Sequence, residues 1–243
     1  MSNSRFYIEA DLTVGIIVTL TENAAIHATR VLRLEVNDDI VLFNHDGFDY
    51  SCKLISIKKS EVLAMVNTQH KLTNESPLKI TLLQGISTGD RMDITIQKSV
   101  ELGVTRIIPI KTMRSVVKLK DDRAEKRLAH WQHIVISACE QSGRATVPVV
   151  EKPISLVDWL FLHKTSEALR ITLDPLAKLK LKSCHATQNI ELLIGAEGGL
   201  TDSEVAISAT HGFLGVQLGR RILRTETAPL AAIAAMQTLW GDF

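Results

Sequence analysis

Two glycine-bearing loops late in the chain hold the residues best placed to do chemistry. The first, in NIELLIGAEGG, sets Gly195, Gly198 and Gly199 around the carboxylate of Glu197, directly after the apolar run 190–194. Glycine lets a backbone turn sharply, and such a loop offers its N–H and C=O groups to a ligand without side-chain chemistry. The second, in FLGVQLGRRILRTETAPLAA, strings Gly219, Arg220, Arg221, Ile222, Leu223 and Arg224 together after another strand-like run. A guanidinium fork suits phosphate or a base carbonyl oxygen, and three arginines interleaved with apolar residues are poorly placed as plain surface charge. Each feature also has a plainer reading: a tight turn for the glycines, a solvated carboxylate for Glu197. Arg144, in ACEQSGR behind a long helical pattern, reads as a helix-end cation answering the dipole after a Gly143 cap.

Both loops fall where a strand would hand the chain to a helix. Thr201 can cap the first helix, and Glu204 three residues on completes a capping box that leaves N–H groups aimed at the loop. The second helix starts near Thr227 with Pro229 in its first turn, where a missing N–H costs little. Its sequence LAAIAAMQTLW is apolar on nearly all sides. That predicts burial on several faces, in the core or against a partner subunit.

Earlier in the chain the pattern changes once. Residues 1–72 read as short strands at 5–8, 13–19, 39–44, 50–57 and 61–67, with His45-Asp46-Gly47 as a hairpin turn and one helix over 22–32 capped by Thr21. Several short strands around one helix predict a small barrel. The polar stretch KLTNESP, 71–77, marks a boundary, dividing the chain into domains 1–72 and 73–243. Beyond it strands at 78–86, 106–111, 147–150 and 169–173 alternate with helices at 90–102, 122–141 and 156–163. Such alternation predicts an α/β domain with a parallel sheet covered on both faces.

Composition removes several classes. The chain has 243 residues, 45% hydrophobic content and a net charge of +1. Residues 1–76 hold seven Lys/Arg against ten Asp/Glu, and 77–243 hold twenty-one against seventeen, so contact with nucleic acid by charge must come from local patches. No apolar run approaches a membrane span, and MSNSRFYIEADL lacks a signal peptide's layout, which predicts a cytoplasmic protein. Cys52, Cys139 and Cys184 form no CxxC pair and read as small buried side chains. His130 and His133 lack a third ligand of convincing spacing, so no metal is expected. The run Lys111, Arg114, Lys118, Lys120, Arg123, Lys126 and Arg127 is diluted by acids and reads first as a solvated face, with phosphate contact second. The first strand of the α/β region leads into GISTGDRMD, which has no G-x-G-x-x-G, and there is no P-loop lysine motif. The ligand site is therefore expected at the C-terminal loops.

IGAEGG-L-TDSE followed by LGRRILRTETAPLAA resembles the two C-terminal motifs of the RsmE family of SPOUT (trefoil-knot) methyltransferases, which methylate N3 of a uridine in 16S ribosomal RNA. The resemblance runs through the whole chain. One departure is Ala196, where the family usually has proline, so a rigid turn is relaxed. The resemblance implies a PUA-like RNA-binding barrel over 1–72 and a SPOUT domain over 73–243 whose last helix threads a loop. It implies S-adenosylmethionine (SAM) as cofactor, 16S rRNA in the 30S subunit as substrate, and a homodimer paired through the last helix. The cofactor residues it implies are Leu173, Ile194, Gly195, Glu197, Gly198, Gly199, Leu218, Gly219, Ile222, Leu223, Arg224, Thr227 and Ala228. Leu173, Leu218, Ile222 and Leu223 would wall the adenine, and Glu197 would balance the sulfonium. Arg144, Glu197 and Arg224 are the implied catalytic residues, and Arg5, Lys98, Arg144 and Arg220 the implied RNA contacts. Two other classes stand beside this one. A non-catalytic RNA-binding or ribosome-assembly protein on the same scaffold would fail to bind SAM, and a nucleotide enzyme on a doubly wound sheet is disfavoured by the missing first-strand fingerprint.

Overall fold

The computed structural model describes residues 4–59, 61–116, 121–185 and 187–243. Lys118 and Lys120 of the basic run lie outside them. The chain separates into two compact units, Met1–Glu75 with Cys139–Val147, and Ser76–Ala138 with Pro148–Phe243.

The first unit contains β1 (Ser4–Tyr7), β2 (Ile17–Thr19), α1 (Glu22–Ile26), β3 (Asp39–Phe43), β4 (Phe48–Lys58) and β5 (Glu61–Lys71). They form a mixed sheet in the order β1-β3-β4-β5-β2, with β1 parallel to β3 and the other pairs antiparallel. Alternate residues point inward, and Phe6, Ile40, Leu42, Leu54, Ala64 and Val66 meet in one core. The β3–β4 turn holds His45 and Gly47 at φ 79° and 86°, the left-handed region that suits the expected hairpin. The helix expected over 22–32 starts as its cap predicts, with Thr21 Oγ1 accepting from Ala24 N at 3.3 Å. It does not continue as one α-helix: a π-helical turn, His27–Val31, follows Ile26. Thr29 and Val31 are stiff at χ1, and the Thr29 hydroxyl bonds back to Ala25 O at 2.7 Å, both of which work against regular α geometry there.

The second unit runs β6 (Lys79–Gly85), α2 (Asp90–Glu101), β7 (Val104–Lys111), α3 (Asp121–Ser142, whose last turn clusters with the first unit), β8 (Val149–Val150), β9 (Ile154–Ser155), α4 (Leu156–Leu162), β10 (Leu169–Leu173), β11 (Leu179–Lys180), β12 (Asn189–Ile194), α5 (Asp202–Thr210), β13 (Leu214–Gln217) and α6 (Thr227–Trp240). The sheet order is β11-β13-β10-β12-β6-β7-β8, with β9 also on β7, and every pairing is parallel. Leu193, Leu83 and Ile108 are in register across three strands and pack on Trp159 and Leu160 of α4. The next row, Leu192, Leu82 and Ile107, faces the other way and is equally buried. Burial on both faces is why these strands read as continuous apolar runs.

α2 packs against α6, and α4 against α5. The inward face of α6 buries Ala232, Ile233 and Met236 together with Gln237, which donates to Leu102 O at 2.9 Å and accepts from the Ser76 hydroxyl at 2.7 Å. Its other face leaves Ala231, Thr238 and Leu239 exposed, so within the chain this apolar helix is buried on one side.

Candidate active site

Neighbouring parallel strands β13, β10 and β12 end side by side, and ligands in open α/β sheets bind beyond such carboxyl ends. A cavity of about 460 Å³ opens there, within the usual range for a small-molecule site. Twelve of the thirteen residues expected to hold a cofactor line it: Leu173 at the end of β10, Ile194, Gly195, Glu197, Gly198 and Gly199 after β12, and Leu218, Gly219, Ile222, Leu223, Arg224 and Ala228 after β13. Thr227 is the exception. It sits in the first turn of α6, where its N–H and that of Ala228 both bond to Arg224 O at 2.9 Å. Ile222 is 85% exposed although it lines the cavity, an apolar side chain left uncovered among the described residues.

The glycines of the first loop each answer to the chain itself. Gly199 has φ +68°, where a side chain is strained, and its N–H closes a tight turn onto Ala196 O at 2.8 Å. A Cβ on Gly195 would stand 2.7 Å from Gly199 C, and one on Gly198 would stand 2.9 Å from the Arg114 Cβ. Gly219 is different. It has no left-handed φ, and a Cβ there would meet no protein atom within 4 Å, so the fold does not require its missing side chain.

Polar contacts hold the two loops together. The Thr225 hydroxyl donates to Gly195 O at 2.9 Å and accepts from Gln84 Nε2 at 3.2 Å, joining the second loop to the first and to the end of β6. Arg114 Nη1 donates to Gly198 O and Leu200 O at 3.0 and 3.2 Å. The expected capping box is present, with Glu204 N to Thr201 Oγ1 at 3.2 Å and Thr201 N to Glu204 Oε2 at 2.8 Å. Glu204 does more than cap: its Oε1 accepts from Met113 N at 2.8 Å, so the segment after β7 is fixed beside the loop.

Glu197 lines the cavity, but its Oε1 is taken by the Thr88 N–H and hydroxyl at 2.8 and 2.7 Å and by Arg91 Nη1 at 3.2 Å. Burial alone would raise this carboxyl; the bonds from Thr88, its own N–H and Arg91 outweigh that and hold it below the usual range. It is an ionised anchor for its loop.

Other expected site residues are engaged elsewhere. Arg144 is buried, is not among the cavity residues, and grips Glu75 through Nε and Nη2 at 3.0 and 2.7 Å. Arg5 donates to Asp49 and to Cys139 O and lies 4.6 Å over the Phe43 ring, an internal tie of the first unit. Lys98 pairs with Glu101 on α2 at 2.8 Å, and Arg220 is exposed beside the cavity residues without being one. The cavity also takes in Asp174, Gln217 and Thr225, which sequence reasoning passed over, and Arg114, which it read first as part of a solvated face. Asp174 and Gln217 stand at strand carboxyl ends, so that rule applied strand by strand was the available signal.

Burial pushes the Cys52 and Cys139 thiols up to about 12, so neither is a thiolate at neutral pH; Cys184, read as buried, is half-buried and raised for the same reason. His130 bonds Asp93 Oδ2 at 2.7 Å, and among the described residues no group of three His, Cys, Asp or Glu is placed to hold a metal. Among them too, no helix is long and apolar enough to cross a membrane.

A parallel sheet with a cavity at the ends of its late strands, together with a small mixed-sheet PUA-like domain, is the SPOUT-type arrangement of an RNA methyltransferase. The RNA methyltransferase domain family matches residues 74–237, and the RNA methyltransferase PUA domain family matches 20–65. Ribosomal RNA small subunit methyltransferase E of Buchnera aphidicola (from Acyrthosiphon pisum) is 34% identical, covering 98% of this chain and 94% of that protein. Its counterpart in Bacillus subtilis is 33% identical over 92% of both. A crystal structure of ribosomal RNA small subunit methyltransferase E from Neisseria gonorrhoeae bound to S-adenosyl methionine superposes with a TM-score of 0.93 at 47% identity, covering both chains completely. The chain belongs to the ribosomal RNA small subunit methyltransferase E, or RsmE, family.

Proposed function

We propose that this protein uses SAM to methylate N3 of a uridine in 16S rRNA within the 30S subunit, acting in the cytoplasm as a homodimer. The observation that carries the reading is the cavity at the ends of β10, β12 and β13. Its size, its apolar wall of Leu173, Leu218, Ile222 and Leu223, and the open approach at Gly219 fit an adenosyl group held mainly by backbone. When bound, SAM supplies an electrophilic methyl group on a positively charged sulfur. The related Neisseria protein, crystallised with S-adenosyl methionine, supports this choice of cofactor.

The chain's own residues supply position and charge. Glu197 anchors the first loop through Thr88 and Arg91, and Thr225 fixes the second loop to it. Neutral uracil carries a proton on N3 and becomes a nucleophile only as that proton leaves, so a cationic surround that favours the base anion lowers the barrier. Arg221 and Arg224 are exposed at the cavity, which supports a role in meeting the base carbonyls or the RNA backbone. Arg220 is proposed to contact phosphate, and Arg144 to act on the base once RNA is bound.

Purified protein mixed with labelled SAM and 30S subunits from cells lacking the activity should place label in 3-methyluridine on digestion. Label in any other nucleoside would overturn the substrate assignment. Failure to bind SAM at all would favour a non-catalytic RNA-binding role.

A further inference from the structure

Arg91, in the first turn of α2, stands between carboxylates from both cavity loops. Its Nη1 donates to Glu197 of the first loop at 3.2 Å and lies 3.5 Å from the Thr88 hydroxyl. Its Nε lies 3.9 Å from Oε2 of Glu226, the N-cap residue of α6 that ends the second loop. That distance is too long for a hydrogen bond. Oε2 of Glu226 is buried and has no hydrogen-bond partner among the described residues. A carboxylate oxygen withdrawn from water without a donor is costly, and a guanidinium N–H stands about an ångström short of supplying one.

The neighbours of Glu226 make this gap relevant to the cavity. Thr225 and Arg224, just before it, both line the cavity, and Thr225 is already bonded to Gly195 O of the first loop. A small shift of the second loop toward the first would bring Glu226 onto Arg91 Nε while Nη1 keeps Glu197. We propose that Arg91 is a positioning residue coupling the two loops, and that occupation of the cavity by SAM draws Glu226 into a hydrogen bond with it. This rests on the cavity being the SAM site. Arg91 acts through the two carboxylates and does not line the cavity itself.

The test is calorimetric titration of SAM into the full-length protein, with steady-state rates on 30S subunits as a second readout. Arg91 is half-exposed, so the effect is modest: Arg91→Met and Glu226→Gln are each expected to raise the Kd about fivefold. The double variant should be no weaker than Arg91→Met alone, because Arg91→Met already removes the only partner through which Glu226 acts in this coupling, along with the Glu197 contact. The rate at saturating SAM should stay within about twofold, so the loss appears in KM, and Arg91→Lys should recover part of it. Unchanged affinity in Arg91→Met and Glu226→Gln, or losses that simply multiply to about twenty-five-fold in the double variant, would overturn the coupling. Should Arg91→Met fail to fold, Glu226→Met, which has no oxygen to accept from Arg91, decides alone: wild-type affinity there rejects the proposal. Wild-type protein that does not bind SAM would sink the cavity assignment first, an outcome distinct from binding that the variants leave untouched.

Discussion

Gly85→Ala is expected to abolish SAM binding and to destabilise the protein by about 3 kcal/mol, on the order of 5–10 °C in Tm. Gly85 ends β6, paired with Ile110 of β7 on one side and lying against the first loop on the other. A Cβ there would stand 2.3 Å from Ala196 N, 2.6 Å from Gly195 C and 3.0 Å from Ile194 O. All three are backbone atoms, so no side chain can swing aside, and either the sheet or the loop must move. Gly219→Ala is the matched comparison, since a Cβ at that position meets no protein atom. It should keep Tm nearly unchanged and alter only SAM affinity. Thermal denaturation with calorimetry reads both. Wild-type SAM affinity in Gly85→Ala would mean that the first loop is not part of the donor site.

Arg144→Ala is expected to lower turnover by about a hundredfold while leaving the Kd for SAM within about threefold. The same change should also destabilise the first unit, because it leaves the Glu75 carboxylate without its two-point partner. Breaking a buried pair costs roughly 3–5 kcal/mol, and Glu75 retains some exposure, so about 2 kcal/mol is the expected loss. The segment should stay docked, held by Asn74 to Gly143 O at 2.9 Å and by Val147 N to His45 Nδ1 at 2.8 Å. Glu75→Gln separates the two roles, since it removes the ion pair and keeps the guanidinium. Turnover preserved in Glu75→Gln and lost in Arg144→Ala assigns Arg144 to the chemistry. Equal losses in both make it a structural arginine.

What the sequence carried well was local. The capping box of Thr201 and Glu204 is a four-residue pattern, and it forms as written. Buried parallel strands announce themselves as apolar runs, so β10 and β12 were legible together with the glycine loop that follows β12. What stayed hidden was contact between distant segments. Gly85 looks like any strand-end glycine until β6 is known to lie beside β12, and only that neighbour explains why it has no side chain. Arg114 read as ordinary charge and Arg91 drew no reading at all, because their partners, the first-loop carbonyls and the Glu197 and Glu226 carboxylates, come from far along the chain. Arg144 satisfied the rule for helix ends, which says nothing of the two-point grip on Glu75. β9 and β11, at two residues each, are too short for any periodicity to register.

The most direct measurement of where the methyl donor binds is a crystal structure of this protein soaked with SAM. The donor is expected between the loop of Gly195–Gly199 and the loop of Leu218–Leu223, with its adenine against Leu218 and Leu223 and backbone approach at Gly219. Density for it beyond β6 and β7, on the loop before α2, would contradict the assignment.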